Sequence, residues 1–326
     1  MTPFSKKIAV AGAGYWGKNL VRNFHALGVL HTICDTDSQN LEKLKQQYSV
    51  PQTTLHYQDV LNDPQVDAVA IASPAVTHYA LVKQALEAGK DVFVEKPIAL
   101  ELVEAQELIH LAETKKRILM VDHLLQYHPA VVKLKELIDA GKIGKLEYIY
   151  SNRLNIGKLR SEENILWSFA PHDISVILSL VEKFPRSVKA FGEAYLQEHI
   201  YDTTVTYLSF FDRLKAHIYV SWLHPYKEQK LVVIGSHGML VFNDVEEEKL
   251  CLYPHKIEWI KQVPVAAKAE REVISYEAKE PLREACLHFL DCIEHRKKPK
   301  TDGHEALAVL QVLQQAQNSL EKEEQP

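Results

Sequence analysis

The sequence predicts an α/β chain with an N-terminal doubly wound parallel sheet and a C-terminal α+β region built on a mainly antiparallel open sheet. Three observations predict it. The chain has 326 residues, and at roughly 150 residues per domain that length calls for two cores. Its first third alternates short apolar runs with amphipathic helical patterns. After about residue 122 that alternation gives way to strand-like runs grouped without helices between them.

Taken in order, Ile8–Ala11, Leu30–Cys34, Ala68–Ala72, Asp91–Val94 and Ile118–Val121 read as buried strands. Leu41–Tyr48, Thr77–Ala88 and Leu102–Glu113 read as helices between them, the second stopped by Gly89. Strand and helix repeated in this way give a parallel sheet covered on both faces. Residues 1–122 are therefore expected to form one domain and 123–326 the other. In the second, a helix over Pro129–Ala140 leads into strands at Leu146–Asn152, Ser187–Ala194, Thr203–Phe211, Ala216–Trp222, Lys230–Ile234, Met239–Phe242 and Leu250–Tyr253. Helices at Pro171–Glu182, Pro281–His295 and His304–Glu321 are expected to cover one face of that sheet.

Composition narrows the function. Hydrophobic residues make up 46% and charged residues 25%, the balance of an ordinary globular protein. A net charge of -5 supplies no field that would gather nucleic acid or an acidic bilayer. No apolar stretch approaches the ~20 residues of a membrane span, and there is no secretory leader pattern. Four cysteines without a CxxC fit a reducing cytoplasm. His288, Cys292 and His295 share one helical face, but without a fourth ligand they make a poor zinc site.

Gly12-Ala13-Gly14-Tyr15-Trp16-Gly17 follows the first strand and opens a helix, the context of a dinucleotide-binding Rossmann turn. Gly12 serves the tight turn, Gly14 lets a pyrophosphate approach, and Gly17 lets helix and strand pack. The amides of Tyr15 and Trp16 lie at the helix N-terminus, where negative charge is stabilised. Asp35, 18 residues beyond Gly17 at the end of the second strand, suits a ribose diol and repels a 2′-phosphate. Asp37 adds a second negative charge, and the expected cofactor is NAD.

Ser73-Pro74-Ala75-Val76-Thr77-His78 and Glu95-Lys96-Pro97 follow the next strands, and Pro171-His172-Asp173 stands in the second half. With the glycine turn, these segments resemble the Gfo/Idh/MocA family of oxidoreductases over nearly the whole chain. His123-Leu124-Leu125-Gln126-Tyr127-His128-Pro129 and Trp167-Ser168-Phe169-Ala170-Pro171-His172-Asp173 look most like the branch that oxidises nucleotide-linked sugars of the UDP-N-acetyl-2-amino-2-deoxyglucuronate type. The resemblance implies hydride transfer from C3 of a UDP-N-acetyl-hexosaminuronate to NAD, in polysaccharide biosynthesis. It implies Lys96 and His172 as catalytic groups facing the sugar from the two domains, and Ser73, Pro74, His78, Glu95 and Lys96 beside the cofactor. It also implies a homodimer or homotetramer. Ser168 stands where family members often carry an aspartate.

Oxidising a secondary alcohol needs one group to take the hydroxyl proton and another to stabilise the developing oxyanion; Lys96 and His172 suit both tasks. Arg153, Asn155, Lys158 and Arg160 read either as donors for a uronate or diphosphate or as a charged surface loop. The alternative functions are a free-sugar or inositol-type dehydrogenase, a hydrolase using bound NAD in a redox cycle, and a non-catalytic NAD-binding regulator.

Overall fold

Apolar runs too short to fill a helix, each ended by a turn residue, build the first sheet. The computed structural model describes residues 4–50, 52–157 and 159–323. In chain order come β1 (Ile8–Ala11), α1 (Gly17–Ala26), β2 (Leu30–Cys34), α2 (Ser38–Tyr48), β3 (Gln52–Thr54) and α3 (Tyr57–Asn62). They are followed by β4 (Ala68–Ile71), α4 (His78–Glu87), β5 (Asp91–Val94), α5 (Leu102–Thr114) and β6 (Leu119–Val121). The six strands pair in the order β3-β2-β1-β4-β5-β6, all parallel. Every residue of β1, β4 and β5 is buried, as a sheet covered on both faces requires. The strand order reverses between β1 and β4, and open α/β sheets bind ligands at the carboxyl edge of such a switch point.

The chain continues through α6 (Pro129–Asp139), β7 (Leu146–Leu154), α7 (Ile165–Val181), β8 (Ser187–Glu193), β9 (Thr203–Ser209), β10 (Lys215–Ser221), β11 (Glu228–Gly235) and β12 (Gly238–Asn243). Then come β13 (Leu250–Tyr253), β14 (Lys256–Ile260), β15 (Val263–Ala267), β16 (Glu272–Val273), α8 (Pro281–His295) and α9 (Gly303–Glu323). Eight strands form a second sheet in the order β16-β13-β12-β11-β7-β10-β9-β8, antiparallel except for β7 beside β10. Its side chains alternate. Ile149, Ser151, Ala216, Ile218 and Val220 are buried toward α7, while Tyr148, Tyr150, His217 and Tyr219 turn to the other face. On that face His217 lies flat against Tyr150, ring centroids 5.4 Å apart, and its Nδ1 is 2.8 Å from the Tyr148 hydroxyl.

Two compact units result: the chain up to Tyr127 with Lys279–Leu310, and His128–Ala278 with the chain from Gln311. The expected division after residue 122 therefore moves, and α8 does not cover the second sheet as the sequence suggested. Its apolar stripe, Leu282, Ala285, Phe289, Leu290 and Ile293, shares one core with Phe24, Phe93, Met120 and Tyr127 of the first unit. The Phe93 and Phe289 rings lie 5.5 Å apart, and burying one such side chain is worth about 1.5–3 kcal/mol. Strand-end hydrogen bonds help to hold this return segment: Val121 N–H donates to Thr301 O (2.8 Å) and the Thr301 hydroxyl to Val121 O (2.6 Å).

A second difference concerns α7. The sequence pattern starts a helix at Pro171, but the helix begins six residues earlier at Ile165, capped by Asn164, whose side chain accepts from Trp167 N–H at 3.3 Å. Pro171 is thus interior, and burial of Ile165, Leu166, Ala170, Ile174 and Ile177 outweighs the backbone bond that proline removes. Cys292 is buried, as are Cys34, Cys251 and Cys286. Among the described residues no helix is long and apolar enough to cross a membrane.

Candidate active site

Four turns leave the carboxyl edge of the parallel sheet side by side, after β1, β4, β5 and β6, because Ala11, Ile71, Val94 and Val121 stand in register. The first is the glycine turn. Gly12 has φ +83°, and a Cβ there would lie 2.7 Å from the amide nitrogen of Ser73 on the turn after β4. A Cβ on Gly17 would lie 1.9 Å from Gly12 O, so helix and turn touch through these two positions. Gly14 has open space beside it. The N-terminus of α1 carries no side-chain cap and no acidic residue in its first turn. Open space at Gly14 and uncapped amides at Tyr15 and Trp16 are what a pyrophosphate needs. The Tyr15 ring itself points outward, 87% exposed, with Lys18 over its face.

Asp35 closes the turn from β2. Its Oδ2 accepts from Ala13 N–H (2.7 Å) and its Oδ1 from Asp37 N–H (2.9 Å). Asn40, which the sequence did not single out, donates through Nδ2 to Ala13 O (3.0 Å) and to Asp35 Oδ2 (3.3 Å). A carboxylate offers about four lone-pair sites, so Asp35 keeps capacity for a ribose hydroxyl while bracing the turn. The second negative charge, Asp37, caps α2, its side chain accepting from the amides of Gln39 and Asn40.

On the next turn the Ser73 hydroxyl is 2.6 Å from that of Thr77, which donates to Pro74 O (2.7 Å). His78 was expected beside the cofactor. It is buried, with Nδ1 2.6 Å from Pro97 O and Nε2 2.9 Å from Ser73 O. The imidazole thus ties the β4 turn to the Glu95-Lys96-Pro97 turn, whose Lys96–Pro97 peptide is cis. Burial pushes its pKa down, and the two carbonyls pull it back up.

Glu95 and Asp122 follow Val94 and Val121, which are partners in register, and Asp122 N–H donates to Val94 O at 2.8 Å. Parallel strands in register send such neighbours to one side. The sequence offered no signal for Asp122; only the pairing of β5 with β6 brings it beside Glu95. Burial first, then the neighbouring carboxyl, raises Glu95 well above the usual carboxylate range, and burial raises Asp122. The turn after β6 is anchored to α9, His123 Nδ1 lying 2.5 Å from Glu305 Oε2 and Gln126 Nε2 donating to Glu305 Oε1 (2.8 Å).

In the second unit His172 lies mid-helix on α7, half-buried, one turn beyond the buried Ser168. Asp173 faces the sheet, where it accepts from Arg153 Nε (2.6 Å), Arg153 Nη2 (3.2 Å) and the Ser151 hydroxyl. Arg153, read from the sequence either as a substrate donor or as surface charge, has its guanidinium paired with this buried carboxylate. Asn155 N–H donates to Ser221 O (3.1 Å), and Arg160 Nε lies 3.4 Å from Glu163. Lys158 lies outside the described residues.

Two models of one family match the chain: the GFO/IDH/MocA oxidoreductase family with an NAD-binding Rossmann fold over residues 6–123, and the GFO/IDH/MocA C-terminal domain over residues 131–241. A scyllo-inositol 2-dehydrogenase (NAD(+)) of Bacillus subtilis is 25% identical, across 96% of this chain and 93% of that protein. A UDP-N-acetylglucosamine 3-dehydrogenase of Acidithiobacillus ferrooxidans is 29% identical across 58% of each chain. A solved structure of UDP-N-acetylglucosamine 3-dehydrogenase GnnA from that organism superposes with TM-score 0.87 over 98% of this chain and 99% of the other, at 22% identity.

Proposed function

We propose that this chain, which belongs to the GFO/IDH/MocA family of NAD-binding oxidoreductases, oxidises a ring secondary alcohol of a sugar at C3, and that the sugar is a UDP-N-acetyl-hexosaminuronate. NAD supplies the hydride acceptor. The observation that carries the reading is the alignment, along one sheet edge, of a phosphate-ready glycine turn, the ribose-suited Asp35 and the Glu95-Lys96-Pro97 turn. Gly12, Gly14, Gly17 and the amides of Tyr15 and Trp16 hold the pyrophosphate, and Asp35 a ribose. Lys96, on the turn braced by His78, takes the hydroxyl proton. His172 is the second acid–base group, working with Ser168 rather than an aspartate one turn before it.

The nucleotide-sugar assignment is supported by the relative that acts on UDP-N-acetylglucosamine and by the two heptapeptides that resemble the uronate branch. One observation favours a second reading, a free inositol or sugar: Arg153 is neutralised by Asp173, which removes an expected anion donor. That reading also fits the inositol dehydrogenase relative. The open aromatic face formed by Tyr148, Tyr150, His217 and Tyr219 suits association with a second copy of the chain.

The test is reduction of NAD by near-stoichiometric UDP-N-acetylglucosaminuronate, UDP-N-acetylglucosamine, scyllo-inositol and free hexoses, followed as nicotinamide absorbance with and without added NAD. Reduction by the uronate alone supports the assignment. Reduction by inositol alone transfers it to the second reading, and none with any sugar, in protein that binds NAD, leaves a regulator.

A further inference from the structure

Glu95 and Asp122 are two carboxyl groups placed side by side by strand register, Asp122 buried and Glu95 half-buried. Asp122 is 1% exposed. Both its oxygens, and Oε1 of Glu95, lack a hydrogen bond of ordinary geometry among the described residues, although the Trp16 indole lies near enough to favour their ionised forms. Carboxylates only accept, so two of them in contact leave each other unsatisfied, whereas one proton on either supplies the missing donor. Like charges this close in a low dielectric cannot both ionise cheaply.

The groups facing the pair come from every neighbouring element. Lys96 follows Glu95, and His123 follows Asp122. Trp16 of the glycine turn acts on both carboxyls, Tyr127 follows from the turn after β6, and Cys286 faces them from α8. Burial holds the Tyr127 phenol and the Cys286 thiol in their neutral forms. The charges beside the pair are therefore those of Lys96 and, when protonated, His123.

We propose that Glu95 and Asp122 share one proton in the free enzyme, release it when NAD+ binds, and do not release it when NADH binds. Asp35 places the adenosine half over β2, so the nicotinamide half falls over the carboxyl ends of β4, β5 and β6. An oxidised ring brings a positive charge there and favours the doubly ionised pair; a reduced ring brings none. When the ring is reduced the pair regains one proton, and the substrate's hydroxyl proton balances it. Asp122 is in this sense a positioning residue that sets the charge beside the cofactor without touching the sugar.

The inference rests on NAD binding and not on the substrate, so the experiment uses no sugar. Proton release is measured in weakly buffered solution at a series of pH values above about 6, because Asp122 is raised to about 6 and the Glu95 carboxyl, raised well above its ordinary value, retains the shared proton beyond that, on titrating the full-length protein with NAD+ and then with NADH. The expected result is release of up to about one proton per NAD+, none per NADH, and NAD+ affinity rising up to about tenfold per pH unit through that range. Asp122→Asn and Glu95→Gln should each abolish the release and flatten the pH dependence, while retained NADH binding shows that the site still folds. Wild-type binding of NAD+ without release, or undiminished release from folded Asp122→Asn, would overturn the proposal. In the second case Lys96 or His123 supplies the proton.

Discussion

Arg153→Met tests whether the His172-Asp173 motif owes its aspartate to stability or to substrate. The substitution removes a guanidinium that donates to Asp173 at 2.6 and 3.2 Å. It leaves a carboxylate only 4% exposed with the Ser151 hydroxyl as its remaining donor in this cluster. Removing one member of a buried ion pair costs about 3–5 kcal/mol, because the other charge stays behind uncompensated. With the two side chains 12% and 4% exposed, solvent screens little of that cost. At about 2–4 °C per kcal/mol for a domain of this size, the melting temperature should fall by roughly 6–20 °C. Asp173→Leu should cost a similar amount, and the Arg153→Met/Asp173→Leu double variant should recover most of the loss. Calorimetry of the four proteins completes the cycle. Stability of Arg153→Met within about 0.5 kcal/mol of wild type, with a raised KM for an anionic sugar, would refute the structural role and return Arg153 to the substrate.

Lys96→Met should lower turnover by about 10²–10⁴-fold and remove one limb of the pH–rate profile, with NAD binding retained. Gly12→Ala forces a Cβ to 2.7 Å from Ser73 N at φ +83°; about 1–3 kcal/mol of strain is expected, together with weaker NAD binding by calorimetric titration. Asp244 gives a pH-dependent stability: burial pushes its carboxyl up, but His128 and Lys249 outweigh burial and hold it at about 2. Its folded pKa lies below the unfolded value near 3.9, so its contribution is present above about pH 4 and is lost as pH falls toward 2. That contribution is of order 2–3 kcal/mol. Acid unfolding of Asp244→Asn should show a correspondingly shallower loss of stability over that window.

Much of the fold was legible because it depends on neighbours in sequence. Strand β1, the glycine turn and Asp35 at the end of β2 are read from alternation and turn chemistry alone, and the structure puts them at one sheet edge. Where a local rule competed with packing, the local rule lost: proline at a first turn is a helix-start signal, yet α7 runs through Pro171 because its apolar stripe is buried. Asp37, read as a second negative charge near Asp35, also caps α2 through the amides of Gln39 and Asn40.

The sequence by itself determined that a parallel sheet would carry a dinucleotide turn with an aspartate at the end of the next strand, because φ > 0 at Gly12 and the period of buried residues are local properties. Only the tertiary structure decided that Asp122 stands beside Glu95, that α8 returns to the first core, and that Arg153 is taken by Asp173. These pairings join residues whose separation in sequence carries no signal. They follow from strand register and from which face of each element is buried, and both are settled by the packing of the whole unit.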